Sequence, residues 1–251
     1  NSFDGTKVPM TIIKPKAYDK SKPQKAIITA YGAYGISMEP YYSSAILDFV
    51  KKGNIFAIAH VRGGSEKGLS WYTDAIKSNK FNSWKDLLAC SQFLKDNKYS
   101  AKNRLGIYFS SAGGVTAGMA INENPEMYNA AVGEVPLLNP LRLSYQKQYN
   151  ATDNDYDFGS TSTIEGLKSL LSLDPVYNLK KERQYPNTLI INGGLDELIP
   201  VYDGAKYIAF LQDNNSSSER TFLLDVVKDQ GHGLDVDETT EKSMFFFNNE
   251  L

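Results

Sequence analysis

The apolar residues of this chain fall into short continuous runs and into longer stretches with helical spacing. Residues 26–30 and 55–61 are rich in Ile and Ala, which is typical of strands buried on both faces of a parallel sheet. Residues 42–52 carry apolar side chains at helical intervals and are followed by Gly53, a common stop signal for a helix. The pattern therefore predicts a strand, a helix and a second strand.

The same alternation continues through the rest of the chain. Apolar runs predict further strands at residues 105–109, 130–135, 187–192 and 221–227. Helical patterns lie among them, beginning after Ser83, near Gly113 and at residues 202–212. Repeated alternation of this kind indicates an α/β protein with a doubly wound, mostly parallel sheet.

Two segments do not follow the alternation. Near the start, Asp4-Gly5 is a tight-turn signal ahead of a strand-like segment at residues 8–13, but little chain precedes the turn. We therefore expect the chain to be a fragment that begins inside a longer protein. Residues 146–167 are expected to form a long irregular stretch, and such stretches are often functional.

Composition narrows the possible functions. The chain has 251 residues, 41% of them hydrophobic, which suits one large α/β domain over residues 1–251. The net charge is −2 and the basic residues are scattered, so a nucleic-acid partner is not expected. The apolar runs are too short to cross a membrane, and we expect a soluble cytoplasmic, periplasmic or secreted protein.

Cysteine and histidine are scarce. The single cysteine, Cys90, excludes an internal disulfide and is expected to pack inside a helix. The two histidines, His60 and His232, lie on separate segments. No metal-ligand spacing emerges, and the sequence predicts neither a metal site nor a cofactor.

The segment after the strand at residues 105–109 has the features of a nucleophile turn. Ser111 is followed by Ala-Gly-Gly, and small residues there allow a sharp strand-to-helix turn that exposes the hydroxyl group. Ser110 lacks this spacing and is the weaker candidate. Phe109 stands where the usual Gly-x-Ser-x-Gly pattern has its first glycine, which is a departure from the α/β-hydrolase pattern.

A nucleophilic serine needs a base that titrates near neutral pH, which makes histidine the test of this hypothesis. His60 lies in an apolar strand pattern ahead of the serine and is interpreted as structural. His232 lies between two glycines after the last predicted strand, where the α/β-hydrolase fold places its base.

The orienting acid of that fold comes between the serine and the histidine, at the end of a strand. Asp196 follows an apolar strand and two glycines, whereas its neighbour Glu197 is interpreted as a solvated side chain. The sequence therefore predicts the ordered set Ser111, Asp196 and His232, with the aspartate holding the imidazole.

With these residues in place, the chain resembles the prolyl oligopeptidase family of serine peptidases, which includes oligopeptidase B. The resemblance runs from Ser2 to about His232. Its motifs are Ser-Phe-Asp-Gly-Thr-Lys-Val-Pro-Met at 2–10, Tyr-Gly-Ala-Tyr-Gly at 31–35, Val-Arg-Gly-Gly-Ser-Glu-Lys-Gly at 61–68, Asn-Pro-Glu-Met-Tyr at 124–128, Gly-Leu-Asp at 194–196 and Gly-His-Gly at 231–233.

The resemblance implies an α/β-hydrolase fold and hydrolysis of oligopeptides through an acyl-enzyme. It implies that the backbone N–H of Ala112 and the hydroxyl of Tyr31 hold the oxyanion, and that Arg62 is structural. It also implies a β-propeller domain in the parent protein, absent from this chain, as a partner of the hydrolase part.

The same resemblance places three residues at the substrate. Asn154 corresponds to a position where family members carry a tryptophan or a glutamate, and Phe158 belongs to the motif that follows it. Leu198 stands where prolyl-specific members have an arginine. These differences argue against proline specificity, and the acidic residues near Asn154 make a basic side chain conceivable.

Two alternatives stay open at this stage. The same triad could serve an esterase. The altered turn at Phe109 could instead belong to a catalytically impaired, hydrolase-like binding domain, although such a domain has no need of all three triad residues.

Overall fold

The structure is a computed structural model that describes residues 1–22, 24–101, 103–146, 151–214 and 219–251. Its strands are β1 Met10–Ile13, β2 Ala26–Thr29, β3 Ile55–Ala59, β4 Leu105–Ser110, β5 Ala130–Glu134, β6 Asn187–Gly193 and β7 Phe222–Val227. Its α-helices are α1 Ser44–Lys51, α2 Leu69–Thr73, α3 Phe81–Asp96, α4 Gly113–Glu123, α5 Pro140–Gln146, α6 Ala151–Asp157, α7 Ile164–Leu173, α8 Tyr202–Asp213 and α9 Val236–Glu250.

All the named strands belong to one sheet, in the order β1-β3-β2-β4-β5-β6-β7. Only the pairing of β1 with β3 is antiparallel among these strands. The predicted doubly wound, mostly parallel sheet is confirmed. The strand order reverses between β2 and β4, and folds of this kind bind ligands at the carboxyl ends of the strands near such a reversal.

Helices cover both faces of the sheet, which explains the continuous apolar runs. Ile28 of β2 belongs to the core cluster on the side of α3, α4 and α8. Its neighbour Ile27 belongs to the cluster on the side of α1 and α9. Because successive side chains of a strand point to opposite faces, a strand covered on both sides is apolar at every position. Cys90 is buried in α3, as predicted.

The expectation of a long irregular stretch at 146–167 was wrong for the described part of it. Helix α6 and the start of α7 lie there, while residues 147–150 are outside the described residues. The α6 sequence is acidic and lacks an apolar stripe, so its helical state gives no periodic signal. The N-cap of α7 is Thr163, whose side chain accepts a hydrogen bond from Gly166 N.

Element ends differ from the predictions by one or two residues in several places. Helix α1 begins at Ser44 rather than at residue 42, because the side chain of Ser43 caps it by accepting a bond from Ile46 N. Helix α9 was not anticipated. Among the described residues, no helix is long and apolar enough to cross a membrane.

Candidate active site

The candidate site lies where the parallel strands end. Tyr31 follows β2, Ser111 follows β4, Asp196 follows β6 and His232 follows β7. The carboxyl ends of parallel strands meet at one edge of the sheet, so residues far apart in sequence converge there.

The turn between β4 and α4 holds Ser111 in a left-handed backbone conformation, with φ at 48°. Its N–H donates to the carbonyl of Glu134, and its own carbonyl accepts bonds from Gly114 N and Leu137 N. A Cβ on Gly114 would lie 2.6 Å from the Leu137 carbonyl oxygen, so this position requires glycine. Strain of this kind costs about 1–3 kcal/mol and persists only where surrounding contacts impose it.

The ring of Phe109 does not disturb this turn. Its side chain is 1% exposed, and it is paired in register with Gly133 of β5. The departure from the usual motif is therefore accommodated by the glycine on the neighbouring strand.

His232 lies within hydrogen-bonding distance of both other residues of the predicted triad. Ser111 Oγ lies 2.9 Å from His232 Nε2, and His232 Nδ1 lies 2.8 Å from Asp196 Oδ2. The Asp196 side chain is fully buried and that of His232 is 26% exposed. A base that reaches solvent on one side and a buried carboxylate on the other can accept and return a proton.

The other oxygen of Asp196 is also satisfied. Oδ1 accepts the N–H groups of Leu198 and Ile199 at 2.9 and 2.8 Å. These two donors fix the carboxylate plane, which leaves Oδ2 directed at His232.

The glycine pair ahead of Asp196 lets the acid turn approach the histidine loop. A Cβ on Gly193 would lie 2.2 Å from the Gly231 carbonyl oxygen, and one on Gly194 would lie 2.6 Å from that of Lys228. Leu195 N donates to Gln230 O across the same contact. Any side chain at either glycine would push the loop that carries His232 away from Asp196.

The rival candidates lie elsewhere. His60 follows β3, and its Nε2 is 2.8 Å from Thr11 Oγ1 on the neighbouring strand. Glu197 is exposed. Arg62, expected to be structural, is buried and forms ion pairs with Asp86 and Asp4.

Tyr31 and Ala112, the residues predicted to hold the oxyanion, lie beside Ser111. The Tyr31 hydroxyl interacts with the Ser111 side chain and with the Ala112 backbone N–H. Ala112 immediately precedes α4, so its N–H belongs to the positive end of that helix. Burial raises the pKa of Tyr31, which keeps the phenol protonated and able to donate.

A cavity of about 620 Å³ opens beside Ser111 and His232. Its other walls are Tyr34, Ile36, Tyr72, Ala112, Leu137, Leu143, Thr152, Asp153, Asn154, Tyr156, Leu198 and Ile199. Asn154 and Leu198, two of the three residues predicted to contact the substrate, line this cavity. Phe158 is 1% exposed and lies behind the wall, with its ring 5.6 Å from that of Tyr34 in an edge-on contact.

Three residues that shape this cavity were not predicted to do so: Tyr34 and Lys80 were given no role, and Asp157 was counted only among the acidic residues near Asn154. Tyr34 has φ at 56°, and its hydroxyl donates to Asn154 Oδ1 at 2.5 Å. Lys80 and Asp157 form an ion pair behind it, with both side chains fully buried. The Tyr-Gly-Ala-Tyr-Gly motif contains Tyr34, but neither a lysine before a helix nor an aspartate in an acidic stretch gives any sign of burial.

Comparison with known proteins gives a consistent result. The prolyl oligopeptidase family matches residues 40–249. Prolyl oligopeptidase A from Amanita bisporigera is 32% identical over 93% of this chain, and prolyl endopeptidase from Elizabethkingia miricola is 30% identical over 92%. The chain spans 31% and 33% of the lengths of these two relatives.

Solved structures agree with this. Oligopeptidase B from Leishmania major superposes with a TM-score of 0.91 at 28% identity, covering 99% of this chain and 35% of that one. The architecture is that of an α/β hydrolase, as the sequence predicted. The family match covers most of the chain, and the chain belongs to the prolyl oligopeptidase family.

Proposed function

We propose that this chain is the catalytic part of a serine oligopeptidase that hydrolyses peptide bonds through Ser111, His232 and Asp196. The observation that carries the proposal is the continuous relay from Ser111 Oγ through the imidazole to Asp196 Oδ2, with links of 2.9 and 2.8 Å. Both contacts fall within the range expected of a nucleophile, its base and the group that orients the base.

The relay supports one assignment of protons. A carboxylate beside Nδ1 favours the tautomer with its proton on that nitrogen, so that the lone pair of Nε2 faces Ser111. His232 then takes the serine proton as Oγ attacks the substrate carbonyl. The imidazolium formed in this step is stabilised by Asp196 and donates its proton to the leaving amine.

The oxyanion of the tetrahedral intermediate is held by the Ala112 N–H and the Tyr31 hydroxyl. Their positions beside the Ser111 side chain support this role. Donors aimed at a developing negative charge in a site shielded from water are among the largest contributions to catalysis. Water activated by His232 then hydrolyses the acyl-enzyme.

The relatives' names support a peptide substrate, since they include prolyl endopeptidases and oligopeptidases. Because the chain spans about a third of their length, we extend their activity to the intact protein as a proposal, together with a β-propeller domain outside this chain. Asn154 and Leu198 line the cavity, and Phe158 supports its wall from behind through Tyr34. We assign these three residues to recognition of the substrate.

Labelling with a fluorophosphonate tests the proposal on the intact protein. We expect one covalent adduct, mapped to Ser111, and loss of both labelling and peptide hydrolysis in Ser111→Ala. Ser110→Ala is the matched control, since it changes the adjacent serine and should leave labelling in place. An unlabelled Ser111 in folded protein would contradict the mechanism.

The esterase alternative uses the same relay. Turnover of matched ester and amide substrates by the same preparation separates the two functions, because a peptidase must protonate a poor amine leaving group and an esterase need not. Amide turnover that is lost in Ser111→Ala favours the peptidase.

A further inference from the structure

A buried ion pair joins the wall of the cavity to the turn that carries Tyr31. Lys80 Nζ lies 2.5 Å from Asp157 Oδ1, and neither side chain has any exposed surface. Lys80 immediately precedes α3, and Asp157 is the last residue of α6. Moving two charges out of water costs free energy that their mutual attraction only partly offsets, so stability alone does not account for this pair.

The second oxygen of the same carboxylate holds the backbone of Tyr34. Asp157 Oδ2 accepts the Tyr34 N–H at 2.5 Å. Tyr34 has a left-handed backbone, which is uncommon for an aromatic residue and persists only where contacts impose it. Its hydroxyl in turn donates to Asn154 Oδ1, so Tyr34 is tied to α6 at both its main chain and its side chain.

The start of α3 anchors the same turn at a second point. Ser83 Oγ donates to the Arg62 carbonyl at 2.6 Å and lies 3.3 Å from the Gly32 carbonyl oxygen, which can share the same proton. Gly32 directly follows Tyr31, and a Cβ on Gly63 would lie 2.2 Å from the Gly32 carbonyl oxygen. The turn of residues 31–35 is therefore clamped between α3 and the segment after β3, with Asp157 as its link to α6.

We propose that Asp157, with Lys80 as its buried counter-charge, is a positioning residue for catalysis. By accepting the Tyr34 N–H, Asp157 fixes the position of the turn that carries the oxyanion donor Tyr31 relative to the cavity-lining face of α6. The proposal rests on the function proposed above. Neither residue touches the reacting atoms, and the effect passes through the bond from Asp157 to Tyr34 rather than through the charge of the pair.

Two double variants of the intact protein separate these effects. Lys80→Met with Asp157→Asn removes both charges but keeps a carbonyl oxygen that can accept the Tyr34 N–H. Lys80→Met with Asp157→Leu removes the charges and the acceptor while keeping a side chain of similar volume. We expect kcat to stay near the original value in the first variant and to fall by about ten- to a hundred-fold in the second, as small misplacements do.

A second readout distinguishes positioning from loss of fold. A small fluorophosphonate needs the oxyanion donors and not the cavity, so its rate of reaction with Ser111 should fall in the Leu double variant in parallel with kcat. Leu94→Ala is the control, because it removes a buried side chain of α3 away from the turn. It should lower stability while leaving kcat per folded molecule unchanged.

Equal kcat values per folded molecule in the two double variants would overturn the proposal. So would a loss in both variants no larger than that in Leu94→Ala. Ser111→Ala keeps this outcome separate from failure of the proposed function, since peptide hydrolysis that survives in Ser111→Ala refutes the mechanism itself, whatever the Lys80 variants do.

Discussion

The ring of Phe109 packs on the Cα of Gly133, its register partner in the neighbouring parallel strand. A Cβ on Gly133 would lie 2.5 Å from Phe109 Cε2, a distance that real side chains do not tolerate. The usual nucleophile turn has a glycine two residues before the serine. In this chain that position is Phe109, and the glycine that leaves room for its ring is Gly133 on the adjacent strand.

This pairing predicts that Gly133→Val is destabilising. The added side chain would drive the Phe109 ring out of its site beneath the turn, and overpacking of this kind costs about 1–3 kcal/mol. We expect a lower free energy of unfolding in urea and a lower kcat, because the displaced ring lies only two residues from Ser111.

Phe109→Ala provides the control within the same contact. The double variant of Gly133→Val and Phe109→Ala should lose less free energy of unfolding than the two single variants lose together. One change fills the space that the other empties. Additive losses would show that the two side chains do not share that space.

The positions of the triad residues could be predicted from the sequence because each is encoded locally. Ser111 is followed by small residues, a pair of glycines lies just ahead of Leu195 and Asp196, and His232 lies between two glycines. All three also follow apolar strands, and the order of these segments is characteristic of the fold. The order of the three residues along the chain was therefore enough to identify the set, without the distances of 2.9 and 2.8 Å that the structure gives.

The rest of the site depends on contacts between distant segments and could not be predicted in this way. Lys80 and Asp157 are 77 positions apart, and Tyr34 and Asp157 are 123 apart. A lysine or an aspartate is exposed in most sequence contexts, and nothing near either residue indicates that both are buried. Helix α6 escaped prediction for a related reason, since tertiary contacts rather than an apolar stripe hold it.

Asp196→Asn should reduce kcat by about 10⁴-fold while leaving the fold intact. An amide can donate to His232 Nδ1 and so favours the tautomer whose Nε2 carries the proton, which cannot accept one from Ser111. Steady-state peptide hydrolysis with circular dichroism measures both properties. Glu197→Gln, a change at the exposed neighbouring carboxylate, should leave kcat within a small factor; a comparable loss there would argue against Asp196 as the acid.

Tyr31→Phe removes the hydroxyl that we propose faces the oxyanion and little else. Loss of one oxyanion donor typically lowers kcat by about 10²–10³-fold, and KM should change little because the donor acts mainly in the transition state. The kcat and KM values of a peptide substrate test this directly. A change confined to KM would place Tyr31 in ground-state binding instead.

The final prediction concerns Asp203, a buried residue of α8 that supports the cavity from behind. Its Oδ1 accepts the N–H of Leu138 at 2.6 Å, next to the cavity residue Leu137. Burial raises the pKa of Asp203 to about 8, with the charge of Asp174 adding to the effect and that of Lys206 opposing it. The folded protein therefore keeps this proton at neutral pH, whereas the unfolded chain releases it near pH 3.8.

The sign follows from proton linkage. Between these two pKa values the folded state binds more protons than the unfolded state, so the free energy of unfolding falls as the pH rises. The contribution of Asp203 to stability is therefore complete below the lower pKa and is lost as the pH rises through the upper one. Asp203→Asn keeps the acceptor for Leu138 but cannot titrate. In urea unfolding at a series of pH values, we expect the stability of Asp203→Asn relative to the original protein to rise from pH 5 to pH 8, by at most about 1.4 kcal/mol per pH unit, and then to level off. Stability profiles that run parallel across this range would mean that Asp203 is charged in the folded state.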